Sequence, residues 1–353
     1  QLHTHCVVAN LVKRDDGTWG GLESYQQYQN KMAVGALYRC ELASELQKLG
    51  YQVKREGDTF EIAGVNKEII DHFSTRRELI EKALTAKGMK GARAAEIAAL
   101  DTRQIKDMRS RKDLFEEWQQ SSRELGFDGS TTINRGEMAP ELNPLKEPAE
   151  IFEELTDKKS VFAEADVWRA VAVDAQGHLD ADGVRDRVGS LLQDTELVRL
   201  RNENTGAIRY STKERVELER RMVESFERRK GEDAHKVTEQ AVEKALSGRS
   251  LTPEQDMAYR KIVQGKDSVE MLQGHAGTGK SYLLGAAKDA WEECGYNVKG
   301  CALAGTAAQG LEDGTGIKSK TLHSLLKQLE GGRNVLDAKT IVVVDEAGMV
   351  GSV

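Results

Sequence analysis

The sequence has few of the features that mark membrane-spanning, disulfide-rich or zinc-binding proteins. No stretch of its 353 residues approaches the roughly 20 apolar residues that a membrane-spanning helix needs, so we expect no membrane insertion. Nothing near Gln1 resembles a signal peptide. The cysteines form no Cys-x-x-Cys pair, which argues against a zinc knuckle or a disulfide framework and fits the reducing cytosol. They are Cys6, Cys40, Cys294 and Cys301.

The formal net charge of −7 gives no overall sign of nucleic-acid binding, although the charge is distributed unevenly. From Arg76 to Asp113 the chain has 11 Lys and Arg against 6 Asp and Glu, a local balance of +5. Such a run is usually the solvated face of a helix, and it can also be a patch that contacts phosphates. The sequence leaves both interpretations open.

The first 126 residues predict a mixture of strands and helices. Period-2 alternation predicts a strand over residues 2–12. Apolar residues recur at helical spacing over residues 25–49, and Gly50 stands where a glycine would end that helix. A turn at residues 56–58 separates two short strand-like runs and predicts a hairpin. Residues 67–126 predict charged helices.

Residues 127–148 contain three of the four prolines and predict an interdomain linker. Proline lacks a donor N–H and restricts the residue before it, so regular structure should fail in this segment. Residues 149–247 predict helices, with breaks near residues 177–183 and 203–206.

From residue 251 onward helical patterns alternate with strand-like patterns, which indicates a parallel sheet. A strand is predicted at residues 268–272, a helix at 281–294, and between them stands a phosphate loop, Gly-x-x-x-x-Gly-Lys-Ser. Its glycines let backbone N–H groups turn toward phosphate oxygens, and the following helix directs its positive dipole end at the same anion. Lys280 is expected to reach the β- and γ-phosphates of ATP, and Ser281 to bind Mg²⁺. The predicted nucleotide-binding residues of the loop are Gly274, Ala276, Gly277, Thr278, Gly279, Lys280 and Ser281.

A second strand, at residues 340–344, ends immediately before Asp345 and Glu346. Its apolar run predicts a strand buried on both faces of a parallel sheet, and ligands bind at the carboxyl ends of such strands. We therefore expect Asp345 to hold the Mg²⁺ of ATP and Glu346 to orient or deprotonate the attacking water. Together with Lys280 they are the predicted catalytic residues.

Three further segments resemble the RecD-like branch of superfamily 1 DNA helicases. The first is Leu-Thr-Pro-Glu-Gln at residues 251–255, for which the resemblance implies that Gln255 contacts adenine. Its Thr-Pro pair also fits a helix start, so a purely structural role stays open. Residues 302–308 and 320–325 resemble the segments that grip single-stranded DNA. The resemblance there implies DNA contacts from Gly305, Thr306, Thr321 and His323.

His3 and His5 lie two residues apart on a predicted strand, so their side chains point to one face. Two imidazoles do not make a metal site without a third protein ligand, and the spacing alone fits solvent-facing histidines. However, Gln-Leu-His-Thr-His-Cys-Val-Val-Ala-Asn at residues 1–10 resembles conjugative relaxases of the TraI/TrwC type, as does Ala-Leu-Tyr-Arg-Cys-Glu-Leu-Ala at residues 36–43. The resemblance implies a divalent metal on His3 and His5, with a third histidine and a nucleophilic tyrosine that this chain lacks.

The predicted fold class is α/β in successive parts. Residues 1–126 are expected to be the C-terminal part of an α+β relaxase domain, and residues 127–148 a linker. Residues 149–247 are expected to form the helical N-terminal domain of a helicase. Residues 248–353 would then be an incomplete RecA-like parallel α/β domain with the phosphate loop. The family resemblance implies this order, because these proteins fuse a relaxase to a RecD-like helicase.

The resemblance implies that the chain is an internal fragment of a bacterial, cytoplasmic relaxase-helicase. The parent would nick single-stranded DNA at the transfer origin through a tyrosyl intermediate and unwind DNA with ATP. It would work with relaxosome and secretion-channel proteins. We expect the fragment to bind ATP–Mg²⁺, with negligible nicking or unwinding. Two alternatives remain, a RecD-like repair helicase with an unrelated N-terminal domain and a non-catalytic nucleotide- or DNA-binding module.

Overall fold

A computed structural model describes residues 8–89, 91–102, 109–129, 142–157, 159–332 and 336–351. The fold is mixed α/β, as predicted. Packing divides the chain into two compact units, here called the N-terminal unit and the C-terminal unit. The N-terminal unit comprises Gln1–Leu155 and Phe162–Tyr210, and the C-terminal unit comprises Thr156–Val161 and Ser211–Val353. The domain boundaries that the sequence suggested stay a prediction.

The first part of the chain contains two small hairpins and several helices. Its strands are β1 (Val12–Lys13), β2 (Trp19–Gly20), β3 (Val53–Glu56) and β4 (Thr59–Ile62). Its helices are α1 (Tyr25–Lys48), α2 (Lys67–Phe73), α3 (Thr75–Ala86), α4 (Ala92–Asp101) and α5 (Arg111–Glu124). The predicted long helix, the hairpin and the following helices are confirmed. Gly50 ends α1 with a φ of 90° and donates its N–H to the Gln47 carbonyl.

The strand predicted at residues 2–12 lies mostly outside the described residues. Of its described part, residues 8–11 are not in a strand, and pairing begins only at Val12. The pairing is a two-residue ladder with β2, so it satisfies few backbone groups. His3 and His5 lie outside the described residues.

The chain continues with three helices and a third hairpin. These are α6 (Pro148–Thr156), α7 (Glu164–Asp174), α8 (Ala181–Leu192), β5 (Leu197–Arg201) and β6 (Ile208–Thr212). The prediction of helices throughout residues 149–247 was wrong at this hairpin. The polar stretch at residues 203–206 is its turn rather than a break between helices.

The core of the N-terminal unit lies between α1 and the helices α6 to α8. Helix α1 buries small residues spaced three or four apart, which lie on one face and allow a close approach to α7. They are Ala33, Ala36, Cys40 and Ala43. Burial raises the pKa of the Cys40 thiol to about 11. Phe162 and Tyr210 add the aromatic part of this core, with their rings stacked 6.3 Å apart.

A buried carboxylate joins several segments of this unit. Asp174, at the end of α7, has a side chain that is only 2% exposed. It accepts a hydrogen bond from Arg55 Nη1 at 3.1 Å and from the Lys146 backbone N–H at 3.0 Å, and Arg187 Nη2 lies 3.8 Å away. The Asp174 carboxylate therefore connects three segments, which are the β3–β4 hairpin, residues 142–147 and α8.

The C-terminal unit contains the remaining helices and a parallel sheet. The helices are α9 (Lys213–Arg228), α10 (Glu239–Leu246), α11 (Pro253–Gln264), α12 (Lys280–Glu293), α13 (Gly305–Thr315) and α14 (Leu322–Glu330). The strands are β7 (Asn297–Ala302), β8 (Ser319–Thr321) and β9 (Thr340–Val344). A single 3₁₀ turn, Ala347–Met349, follows β9.

The predicted parallel sheet is confirmed, with the strand order β8-β7-β9. Gly300 in β7 makes the close packing possible, because a Cβ there would lie 2.1 Å from Ser319 Oγ and 2.9 Å from Leu311 Cδ2. Ala302 pairs with Thr321, and Cys301 pairs with Val344. The segments that follow the three strands therefore leave the sheet at the same edge.

The strand predicted at residues 340–344 is confirmed as β9, whereas the strand predicted at residues 268–272 and the burial of β9 on both faces were wrong. Residues 268–272 are irregular rather than a strand, and Met271 is 80% exposed. Within the described residues they form no ladder with another strand, and a strand requires a ladder partner. Within the described residues β9 pairs only with β7, and its side chains are buried on one face and partly exposed on the other. Ile341 and Val343 pack on the core, whereas Val342 and Val344 remain about two-fifths exposed.

No helix in the described part of the chain is long and apolar enough to cross a bilayer. Its longest helix, α1, has 24 residues but carries several charged side chains.

Candidate nucleotide-binding site

The phosphate loop has the backbone conformation that its glycines were predicted to allow. Gly277 and Gly279 adopt φ values of 79° and 81°, which side-chain-bearing residues rarely do. At Gly274 the requirement is steric, because a Cβ would lie 2.8 Å from Thr278 Oγ1. Thr278 in turn donates its hydroxyl to the His275 carbonyl at 2.8 Å. The loop is therefore a folded ring of backbone rather than a loose turn.

Lys280 is the first residue of α12, and its side chain turns back over the loop. Its Nζ donates to the carbonyls of Gly274 and His275 at 2.7 and 2.8 Å. This places the ammonium charge at the mouth of the loop, beside the first N–H groups of the helix. A phosphate bound there would meet a point charge, the backbone donors and the positive end of the helix dipole together.

Some helices of this unit begin with a side-chain N-cap and others begin without one. Helices α11 and α14 begin after Thr252 and Thr321, whose hydroxyls accept hydrogen bonds from N–H groups of the first turn. Helices α12 and α13 begin after Gly279 and Ala304 and have no side-chain cap. Their first N–H groups thus remain available to an external acceptor.

Gln255 ties the preceding helix to the phosphate loop. Its Oε1 accepts the Thr252 N–H at 2.9 Å, completing a capping box, and its Nε2 donates to the Thr278 carbonyl at 2.9 Å. The expected N-cap and first-turn proline are confirmed. A side-chain amide has two donors and two acceptor positions, so these bonds leave capacity for a further partner. The adenine contact stays a prediction.

Ser281 lies against α13, an arrangement that the sequence did not reveal. A Cβ on Gly314 would lie 3.2 Å from Ser281 Cβ and 3.4 Å from its hydroxyl oxygen. Only glycine at that position leaves the predicted Mg²⁺ ligand uncrowded. The Gly-Thr-Gly run at residues 314–316 is the sequence feature from which this close approach could have been predicted.

Asp345 and Glu346 follow β9 at the carboxyl edge of the sheet. The Asp345 N–H donates to the Cys301 carbonyl at 2.9 Å, which extends the β7–β9 ladder to the carboxylate residue. Asp345 Oδ1 accepts the Glu346 N–H at 2.9 Å. Glu346 has a φ of 53°, one of two non-glycine residues with positive φ in the described part of the chain. Strained backbone of this kind persists where the surrounding structure holds it, often at functional sites.

The predicted DNA-contacting residues come to the same edge. Gly305 and Thr306 are exposed at the uncapped start of α13. Thr321 is the N-cap of α14, where its hydroxyl accepts the Ser324 N–H at 3.2 Å, and His323 is exposed two residues further. The paired register of β7 and β8 makes these two segments neighbours.

Several cations of the basic stretch at residues 76–113 pair with carboxylates of the same stretch. Its exposed pairs include Arg77–Glu81, Lys82–Glu78 and Lys87–Asp101. This favours the interpretation as a solvated helical face. Within the described residues no group of three His, Cys, Asp or Glu could hold a metal ion, and the His3 and His5 site lies outside them.

Comparison with protein families matches both ends of the chain. Residues 1–125 match the TrwC relaxase family, and residues 250–353 match an AAA domain. The two matches, in this order along one chain, support a relaxase-helicase fragment of the TrwC and TraI type. An AAA domain implies ATP and Mg²⁺. The relaxase match argues against a repair helicase with an unrelated N-terminal domain.

Curated relatives of this family carry transfer functions in their names. The "Probable conjugal transfer protein TraA" of Sinorhizobium fredii is 36% identical over 215 residues, which cover 59% of this chain and 19% of that protein. "Multifunctional conjugation protein TraI" of Escherichia coli K12 is 35% identical over 139 residues, covering 36% of this chain and 8% of that protein. The matched part of the chain thus covers about a fifth of the length of the TraA relative and less than a tenth of the length of TraI.

Solved structures of TrwC relaxases are also similar in part. One, described as TrwC in complex with mutant OriT DNA, is 35% identical with a TM-score of 0.32. The match covers 34% of this chain and 44% of that one. A metal-bound TrwC complex with OriT DNA gives the same identity and TM-score. The family assignment rests on the sequence matches.

Proposed function

We propose that the C-terminal unit binds ATP–Mg²⁺ as the first motor domain of a RecD-like helicase. The observation that carries the proposal is the phosphate loop itself. Two glycines with positive φ lead into α12, which starts without a side-chain cap and with Lys280 at its first position. These features supply the donors and the charge that a triphosphate needs.

Each predicted site residue has a role in this proposal. Lys280 binds the β- and γ-phosphates, and the backbone N–H groups of residues 274–281 bind their oxygens. Ser281 and Asp345 would hold Mg²⁺ through hydroxyl and carboxylate oxygens, the ligands that this ion prefers. When bound, the ion neutralises charge on the phosphates. Glu346 orients the attacking water or accepts its proton.

The same sheet edge is proposed to contact single-stranded DNA. Gly305 and Thr306 offer N–H groups at the uncapped start of α13, which suit phosphate oxygens. Thr321 and His323 lie on the neighbouring segment. Nucleotide and DNA would then be held by segments leaving adjacent strands, which is a direct way for one ligand to affect the other.

For the whole protein, we propose the relaxase reaction that the family resemblance implies. It would cleave one strand at the transfer origin through a tyrosine, with a divalent metal on His3, His5 and a third histidine. Relaxosome and secretion-channel proteins would be its partners in the bacterial cytoplasm. The proposed domain order is relaxase (1–126), linker (127–148), helical domain (149–247) and motor (248–353).

The nucleotide site is tested by titrating the chain with a fluorescent ATP analogue in the presence of Mg²⁺. We expect Lys280→Ala to abolish measurable binding, because the loop loses its only side-chain ammonium. Lys266→Ala is the control, since this exposed lysine lies outside the loop and forms no ion pair among the described residues. Normal binding by Lys280→Ala would show that the site is assigned wrongly.

A further inference from the structure

The segment from α6 to β6 has the element order of a winged helix. Helix α6 is followed by a bridge in which Phe162 pairs with Tyr210, then by α7, α8 and the β5–β6 hairpin. The Phe162 and Tyr210 backbones exchange two hydrogen bonds, of 2.9 and 2.8 Å. The hairpin and Phe162 thus form a small sheet, which packs on the helical core through Leu197, Ile208 and Tyr210. The β5–β6 hairpin is here called the wing. We propose that this wing binds the phosphate backbone of double-stranded DNA through Arg199, Arg201 and Arg209.

The three arginines have no carboxylate partner among the described residues, although Arg209 Nη1 donates to the Ile208 carbonyl at 3.4 Å. All are exposed, and within the described residues none forms an ion pair. Exposed arginines elsewhere in the N-terminal unit are often paired, as in Arg169–Asp58 and Arg185–Asp182. The hairpin has one acidic residue, so it is positive in a chain whose net charge is −7.

The geometry of the hairpin places cations on both of its faces, which suits a strand pair that lies between two phosphate backbones. Arg199 and Arg201 alternate with Leu200 on β5, so their side chains leave one face about 7 Å apart. Arg209 stands opposite Leu200 on β6, because the Asn202 N–H donates to the Ala207 carbonyl, so its side chain leaves the other face of the hairpin. The turn is held by the Asn202 side chain, whose Oδ1 accepts the N–H groups of Asn204 and Thr205. The cations therefore project from a fixed support.

The helix that would read bases in this fold is unsuited to DNA. In a helix-turn-helix the N-terminal residues of the second helix enter the major groove. Here that helix is α8, and its N-terminus carries the carboxylates of Asp180 and Asp182. Glu41 of α1 adds a third, since its Oε2 accepts the Ala181 N–H at 2.7 Å. These charges repel phosphates, which leaves the wing as the contact and makes it independent of base sequence.

The hairpin also lacks the exposed aromatic or apolar side chains that would bind unpaired bases or a lipid surface. Its aromatic residue, Tyr210, is buried against Phe162, so it offers no exposed ring on which unpaired bases could stack. Its turn, residues 202–206, is entirely polar and cannot insert into a lipid surface. Duplex DNA, bound through its phosphates, is the partner that fits both observations.

The test measures binding of the whole 353-residue chain to a labelled duplex of arbitrary sequence by fluorescence anisotropy. Affinity is followed while salt rises from about 50 to about 200 mM, because each neutralised phosphate adds about 0.9 to the slope of log affinity against log salt. Replacing Arg199, Arg201 and Arg209 with Ala should reduce that slope by about 2.7. Over this range, wild-type affinity should fall roughly 40-fold more than that of the variant.

Two further variants separate the wing from general charge and from misfolding. Lysine at all three positions restores the positive charge and should restore most of the slope, because binding to the phosphate backbone of DNA needs positive charge rather than the planar guanidinium of arginine. A control with Arg123, Arg221 and Arg229 changed to Ala removes the same charge from exposed arginines elsewhere. It should leave the slope close to wild type.

The proposal is overturned if the alanine variant keeps the wild-type slope, or if the control variant loses as much. It is also overturned if the loss appears with the matching single strand and not with the duplex. Nucleotide binding by the alanine variant should equal that of wild type, which shows that the C-terminal unit is folded, and an unchanged rate of thiol labelling at the buried Cys40 would show the same for the N-terminal unit. The result for the wing is thus separate from the result for Lys280.

Discussion

Asp174 provides a direct test of what holds the N-terminal unit together. Asp174→Asn keeps an acceptor for the Lys146 N–H but removes the charge that lies between Arg55 and Arg187. Removing one partner from a buried ion pair costs about 3–5 kcal/mol. The two arginine side chains remain 30% and 21% exposed and can reach water, which lowers the cost. We therefore expect a loss of about 2–3 kcal/mol in the free energy of opening this unit.

The rate at which Cys40 reacts with a thiol reagent measures this opening. Cys40 is fully buried in the same unit, and burial raises the pKa of its thiol to about 11, so it reacts only after the unit opens. A loss of about 2–3 kcal/mol should accelerate labelling about 30- to 150-fold. Cys301, also fully buried but in the C-terminal unit, is the internal reference.

Asp182→Asn is the matched substitution. Its carboxylate is 79% exposed and pairs with Arg185 on the surface, where such pairs contribute less than about 1 kcal/mol. If Cys40 in Asp174→Asn reacted no faster than in Asp182→Asn, the buried charge would not hold these segments together. Equal acceleration of Cys301 would show a general effect on the chain and refute the assignment to this unit.

Three further predictions concern the loop, the Mg²⁺ ligand and the thiol. Gln255→Glu keeps the helix cap but loses the donor to the Thr278 carbonyl. The substitution should weaken the binding of ATP and GTP analogues alike, by about fivefold to tenfold in equilibrium titrations. Loss of an adenine contact alone would weaken the binding of the ATP analogue only. Gly314→Val should crowd the Mg²⁺-binding serine and weaken Mg²⁺–ATP several-fold by calorimetry, whereas Gly310→Val, in open space, should not. The folded pKa of Cys40 is raised from 9.0 to about 11, so its contribution to stability is present below pH 9 and lost toward pH 11. Urea midpoints should therefore fall more steeply over that range in wild type than in Cys40→Ala, and parallel curves would contradict this.

The phosphate loop could be predicted because its requirements are local. Gly277 and Gly279 are glycines where the backbone takes positive φ, and Lys280 follows at the start of the helix. The same is true of the start of α11, where threonine, proline and glutamine stand at the positions of a capping box. Such motifs depend on neighbours in sequence, so reading the chain is enough to find them.

The strand predictions that were wrong depend on partners distant in sequence. An apolar run indicates that a strand is possible, but its burial depends on which strands lie on either side. Strand β9 has a neighbour on one side only among the described residues, so two of its valines stay exposed. The β5–β6 hairpin was missed because arginine and leucine alternate over only five residues in β5, too short a run to separate strand from helix.

The predicted DNA contacts illustrate how the structure refines a motif. Gly305 and Thr321 both lie where the chain passes from a paired strand into a helix: Gly305 is the first residue of α13, and Thr321 is the N-cap of α14. The Thr321 hydroxyl already accepts an N–H of its own helix, whereas nothing in the side chains caps the helix that begins at Gly305. A bound phosphate oxygen could therefore satisfy backbone donors at Gly305 without displacing an existing bond, and at Thr321 it would compete with the cap. For this reason the start of α13 is the stronger candidate for the DNA contact, although the sequence motifs alone gave the two segments equal weight.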